Sequence, residues 1–246
     1  MKSFITILLL ILWSHIYVLA NIQVLVLAGN TAQAEFPVLK KFTKIGKQKV
    51  IYKETKDRAL ATNLNNYDIL WLGQGEICEG AYFFKKETET RILNFAENGG
   101  IIISIGQDSD DARPCESGWF PKDITGIERG DTQAYEITKA KEVGSLFTKP
   151  NKVDQIHFDD AWTKPDKSII LLATINGGAD VGVGLLHHGK GAYILTSIEN
   201  DDVGQVDANS AVLENLIHYA VNLMRTLVVD PLDKLTTSWG HVKTLY

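Results

Sequence analysis

Three apolar runs, each closed by a glycine one or two residues later, constrain this chain more than any other feature. Ile22–Leu27 (IQVLVL) leads into Ala28-Gly29, Tyr67–Leu72 (YDILWL) into Gly73, and Ile101–Ile105 (IIISI) into Gly106. Runs this short, with little polar alternation, suit strands buried on both faces. That is the pattern of parallel strands covered by helices, each ending in a turn. Helical spacing falls between them. Phe36–Phe42 places Phe36, Leu39 and Phe42 on one side, and Lys85–Asn98 turns Ile92, Phe95 and Ala96 inward before a Gly99-Gly100 stop. Strands alternating with helices predict a doubly wound, mostly parallel α/β sheet with helices on both faces.

The remaining elements extend this plan. Val50–Tyr52 reads as a short strand and Ser168–Ile175 as another. Gln107–Lys152 carries Pro114, Gly118, Pro121 and Gly126 and reads as an irregular insertion with long loops. Val181–Leu186 and Ala192–Ile198 flank His187-His188-Gly189-Lys190-Gly191, a β-hairpin with glycine where positive φ is needed. Asn209–Met224 is a helix by its period, with Val212, Leu213, Leu216, Ile217, Ala220 and Met224 on one face and Asn209 or Ser210 as the cap. We expect one domain over 21–229 and a tail over 230–246, either a surface strap or a sorting or docking segment.

The N-terminus bears on compartment. Lys2, the apolar run Phe4–Trp13 and the small residue Ala20 read as a secretory signal over 1–20, with an uncleaved anchor as the alternative. The expected destination is secreted or periplasmic. Cys78 and Cys115 follow strands expected to be neighbours, so their loops share the carboxyl edge of the sheet. Outside the cytoplasm a Cys78–Cys115 disulfide is the expectation, against two unpaired thiols. A net charge of −5 with no basic stripe argues against nucleic acid. Gly73-Gln74-Gly75 lacks the Lys-Ser/Thr of a phosphate loop.

Two stretches carry a resemblance. Tyr67-Asp68-Ile69-Leu70, a glycine-rich turn, a helix and Asn98-Gly99-Gly100-Ile101-Ile102-Ile103 resemble the class I glutamine-amidotransferase-like fold. Phe158-Asp159-Asp160-Ala161-Trp162 and Gly189-Lys190-Gly191-Ala192-Tyr193-Ile194-Leu195-Thr196-Ser197 are similar to its trehalose-utilisation-protein-like (ThuA-like) branch. The resemblance implies a flavodoxin-like sheet, in a branch whose members are often found near sugar metabolism. Catalytic members carry a Gly-x-Cys-x-Gly elbow after a core strand, where the nucleophile sits on a strained turn. Here that strand continues Ser104-Ile105-Gly106-Gln107-Asp108, without cysteine. Cys78 stands between Glu76 and Glu79, which would raise its pKa and weaken it as a nucleophile. No catalytic residue is therefore expected, and the domain reads as a pseudoenzyme.

Open α/β sheets bind ligands at their carboxyl edge. Two acidic loops are expected there: Gln107-Asp108-Ser109-Asp110-Asp111 and Glu199-Asn200-Asp201-Asp202. Clustered carboxylates suit a hard cation, with Asp108, Asp110 and Asp111 as the candidate Ca2+ ligands, or the hydroxyls of a sugar; the alternative is two solvated loops. Gln74, Gln107, Asp108, Asp111, Asp160, Trp162, Glu199 and Asp201 are the candidate ligand-binding residues. Asp159, Asp160 and His157, beside the flat ring of Trp162, are the residues a glycoside hydrolase would use, although adjacent strand residues point to opposite faces. Trp119-Phe120-Pro121 either packs the insertion down or offers a platform to a partner or carbohydrate. His187 and His188 read as a solvated hairpin tip and His218 as structural. Three functions stay open: a binding domain for a small polar ligand, carbohydrate or protein; a sugar-active hydrolase; and an assembly module of an extracellular system.

Overall fold

The computed structural model describes residues 21–28, 35–75, 84–106, 118–127 and 129–228. The expected signal over 1–20, Cys78, Cys115, the loop residues Gln107, Asp108, Asp110 and Asp111, and the 230–246 tail lie outside the described residues. In chain order the elements are β1 (Ile22–Leu27), α1 (Glu35–Leu39), β2 (Lys44–Ile45), β3 (Gln48–Thr55), β4 (Ile69–Leu72), α2 (Lys86–Glu97), β5 (Ile101–Ser104), β6 (Thr125–Ile127), β7 (Tyr135–Ile137), β8 (Ala161–Thr163), β9 (Ile170–Ile175), β10 (Asp180–His188), β11 (Gly191–Thr196) and α3 (Val203–Val228).

Five strands form the parallel heart of the sheet, in the order β3-β1-β4-β5-β11. This is the flavodoxin-like order, with its switch point between β1 and β4. Alternation along each strand divides the core into two layers. Val24, Val26, Ile69, Trp71, Ile101, Ile103 and Ile194 face α3, where Val212, Leu213, Leu216 and Ile217 meet them. Leu25, Leu27, Leu70, Leu72, Ile102 and Leu195 face the other way, against Ile92, Phe95 and Ala96 of α2. The three runs singled out in the sequence are thus the buried centre, and their lack of polar alternation follows from having two covered faces.

Beyond β11 the sheet turns antiparallel. β10 returns beside β11 through Gly189-Lys190, with Gly189 at φ +58°. β8 and β9 both pair with β10, β6 with β8, and β7 with β9. The stretch read as irregular loops therefore contributes two three-residue strands, too short to show a period. Asn215 of α3 pins this region: its side chain donates to the carbonyls of Leu146 and Asn151 at 2.7 and 2.8 Å and accepts the Asn151 N–H at 3.0 Å.

Three boundaries differ from expectation. α1 ends at Leu39, because the next two turns tighten into i→i+3 bonds from Lys41 to Val38 and from Phe42 to Leu39. β3 runs well past Val50–Tyr52; its outer residues are exposed and polar, so apolarity does not mark it. α3 begins at Val203, six residues before Asn209. Its true start is a capping box. Asp202 Oδ1 accepts the Gln205 N–H at 2.9 Å while Gln205 Oε1 accepts the Asp202 N–H at 3.3 Å. Among the described residues no helix is long and apolar enough to cross a membrane.

Candidate functional site

The carboxyl ends of β4 and β11 meet at a buried carboxylate, Glu35, the first residue of α1. Glu35 is 4% exposed. It accepts from Trp71 Nε1 at 2.8 Å, from Asn200 Nδ2 at 2.8 Å and from the Gln74 N–H at 3.3 Å. One side chain thus fastens the loops after β4 and β11 to the helix after β1. Burial raises the Glu35 pKa above the ordinary carboxylate value, and the three donors pull against that shift. Gln74 continues the tie: its amide donates to Asp201 Oδ1 at 2.5 Å and its Oε1 accepts the Asn200 N–H.

Beside this pin lies an acidic cluster. Phe158 forms antiparallel bridges with Thr132 on one side and Ile198 on the other. The bridges are closed by Thr132 N–H to Phe158 O at 2.8 Å and Phe158 N–H to Thr132 O at 2.9 Å, with Glu199 N–H to His157 O at 2.9 Å beyond Ile198. Phe158 and Ile198 are fully buried. The alternate residues, Asp131, Asp159 and Glu199, turn to the opposite face. There one oxygen from each carboxylate lies within 4.8 Å of the others. Asn209, buried inside α3, locks the arrangement. It accepts the His157 N–H at 2.8 Å and donates to Glu199 O at 2.6 Å and Asn200 Oδ1 at 3.0 Å. Its polarity serves this tie rather than the expected cap.

Electrostatics follow from this crowding. Burial, then the charges of Asp160, Asp131 and Asp201, push Asp159 up to about 6. Burial, then the charges of Asp159, Asp131 and Asp201, raise Glu199 well above the usual carboxylate range, despite a hydrogen bond from Gln205. Glu199 is 5% exposed, and its Oε2 has no hydrogen-bond partner. The cleft bounded by Gln74, Gly106, Asp159, Asp160, Ser197 and Glu199 leaves about 10 Å3 open to the centre of a water-sized sphere, room for roughly one water. Gly106 shapes its floor: a Cβ there would stand 2.5 Å from Ile198 O. Such a site can hold a proton, a water or an ion.

Of the residues singled out in the sequence, the structure brings Gln74, Asp160, Glu199 and Asp201 to this edge. Asp160 accepts the Arg129 N–H at 2.8 Å, while the Arg129 side chain pairs with buried Asp180 at 2.9 Å. Trp162 is a correction. It is 1% exposed and packs edge-on against Trp119 at 6.5 Å, so it offers no face to a sugar. Trp119 and Phe120 are buried with it, and Tyr193 donates to Trp119 O at 3.0 Å; this patch packs the insertion down. Sequence reasoning passed over Glu35, Asp131 and Asn209 as site residues. Glu35 meets Asn200 across 165 residues, a pairing with no local signature.

No protein-family model matches the chain, and no curated protein matches it. Solved structures do. A protein described as ThuA-like from Bacteroides uniformis superposes with TM-score 0.56 at 13% identity, covering 83% of this chain and 94% of that one. PurLQS from Thermotoga maritima superposes with TM-score 0.52 at 12% identity, covering 82% and 98%. A cold-adapted β-galactosidase from Rahnella sp. R3 matches with TM-score 0.54 at 12% identity, covering 82% of this chain but 31% of that longer one. The fold is therefore the class I glutamine-amidotransferase-like, ThuA-like α/β fold.

Proposed function

We propose that this chain is a non-catalytic amidotransferase-like domain that binds a small polar ligand at the carboxyl edge of its sheet, outside the cytoplasm. The observation that carries the reading is the cleft between Gln74, Asp160 and Glu199, set at the edge where open α/β sheets take ligands. β5 leads into Ile105-Gly106-Gln107, where a glutamine-hydrolysing relative needs a cysteine elbow, which supports the absence of that chemistry. A sugar hydrolase needs carboxylates that flank a glycosidic bond, about 5 Å apart or more, with a ring-sized space between them. The tight acidic trio weighs against it. Export, with Cys78 paired to Cys115, belongs to the same reading. Thiol titration of unreduced protein tests the pairing, and two reactive thiols would refute it.

The functional test has two arms. Ammonia release from glutamine is expected to stay at background. A thermal-shift screen of polyols, monosaccharides and small acids and bases is expected to give a saturable rise for at least one compound, lost in Gln74→Ala and Asp160→Asn. Glutamine turnover, or ligand shifts indifferent to both variants, would overturn the reading.

A further inference from the structure

Glu199 Oε2 is buried and has no donor. A carboxylate oxygen removed from water without a partner is costly, so this atom marks a place where something belongs. Its carboxylate belongs to a cluster with Asp131 and Asp159, contributed by three separate segments that the Phe158 bridges hold together. The nearby charges acting on Asp159 and Glu199 are those of Asp131, Asp160 and Asp201, all negative. The nearest guanidinium on these segments, that of Arg129, is committed to Asp180.

We propose that Asp131, Asp159 and Glu199 hold a hard divalent cation of the Ca2+ type. Two oxygens on opposite sides of a Ca2+ ion stand about 4.6–5.2 Å apart, twice the bond length of 2.3–2.6 Å. The three oxygens here lie within 4.8 Å of one another, close enough for a single ion to draw them together. Exposed Asp131 leaves the outer side of the ion to water. The backbone ties of Asn209, Thr132 and His157 set the site before an ion arrives, so little ordering is needed on binding. The site differs from the Asp108, Asp110 and Asp111 set expected from the sequence. It rests on the reading of the carboxyl edge as a binding site and names the ligand class.

The test is calcium titration of the full chain after treatment with chelator and dialysis, followed by calorimetry and by thermal unfolding. We expect a saturable heat and a rise in Tm of about 5 °C at roughly a hundredfold excess over Kd. Asp131→Ala, at an exposed position, is expected to fold normally and weaken binding at least about tenfold. Asp159→Asn and Glu199→Gln are expected to abolish the calcium response while matching or exceeding the unliganded Tm of the parent, because each relieves like-charge crowding; a misfolded variant would do the reverse. No heat and no shift at about 10 mM Ca2+, well above the range of weak extracellular calcium modules, would overturn the proposal. So would a response that survives in Asp131→Ala and Asp159→Asn. Organic-ligand shifts lost in Gln74→Ala alongside a null calcium titration would sink the cation and leave the binding domain standing. Null results in both would sink the two together.

Discussion

Replacing Glu35 with alanine is the sharpest probe of how the carboxyl edge is held. The change strands three buried donors: Trp71 Nε1, Asn200 Nδ2 and the Gln74 amide. Each buried donor left unpaired costs about 1–3 kcal/mol. Against this, the variant escapes the burial of a carboxylate whose raised pKa shows that its charge is unwelcome. The difference should be a loss of about 2–4 kcal/mol near neutral pH, or about 5–15 °C in Tm for a domain of this size. The pH dependence has a definite sign. The folded pKa lies above the unfolded value, so the native state holds a proton over a window in which the unfolded chain has released it. Glu35 then contributes most below the unfolded value of 4.5, and its contribution declines as pH rises through the folded pKa. The gap between parent and Glu35→Ala should therefore widen from pH 7.5 towards pH 5. Urea unfolding at both pH values measures it. Glu35→Gln keeps an acceptor for Asn200 and Gln74 but sets an amide N–H against Trp71 Nε1, and should fall between the two. A Glu35→Ala variant within about 0.5 kcal/mol of the parent, or a gap that narrows on acidification, would refute this account.

Other perturbations test the remaining supports. Gly106→Ala places a Cβ 2.5 Å from a backbone oxygen that cannot yield, so it should cost at least about 3 kcal/mol or fail to accumulate soluble protein, whereas Gly130→Ala, with open space around it, should be near neutral. Asn215→Ala removes four bonds that hold the 146–151 segment on α3, and should cost about 2–3 kcal/mol and speed limited proteolysis within 129–156. Asp202→Ala breaks the capping box and should cost about 1 kcal/mol by chemical denaturation, with little change in the m-value.

How much of this was legible in the sequence depended on the range of the interaction. The parallel strands declared themselves because both their faces are covered, and the hairpin because Gly189 marks its turn. α2 ended where Gly99, at φ +113°, allows it to end. The start of α3 was written in the Asp202-x-x-Gln205 spacing, yet Gly204 masked it and the stronger apolar period downstream drew attention to Asn209. Glu199, Asp201 and Asp160 lie at the carboxyl edge, where the strand order in the sequence placed them. The grouping of Asp131 with Asp159 and Glu199 had no sequence signal, because it arises from bridges between segments far apart in the chain. An acidic-aromatic stretch reads the same whether its tryptophan is presented or interred; only the packing of Trp162 on Trp119 decided that. Glu35 was beyond reach, since a glutamate opening a short helix is ordinarily a surface residue.

Asp131 and Glu199 enter the cluster from different kinds of chain. Glu199 follows β11, a member of the parallel heart, whereas Asp131 lies in the stretch between β6 and β7, at the antiparallel margin. The cluster therefore has one member that the packed layers hold in place and one that they do not. Exchanging the 129–134 passage would leave the two packed layers whole and remove only the exposed carboxylate. Two proteins with the same sheet can then diverge in what they bind by altering a handful of codons. For a fold whose solved examples share so little sequence with this one, such a passage is the first place to look when asking whether any two of them do the same job.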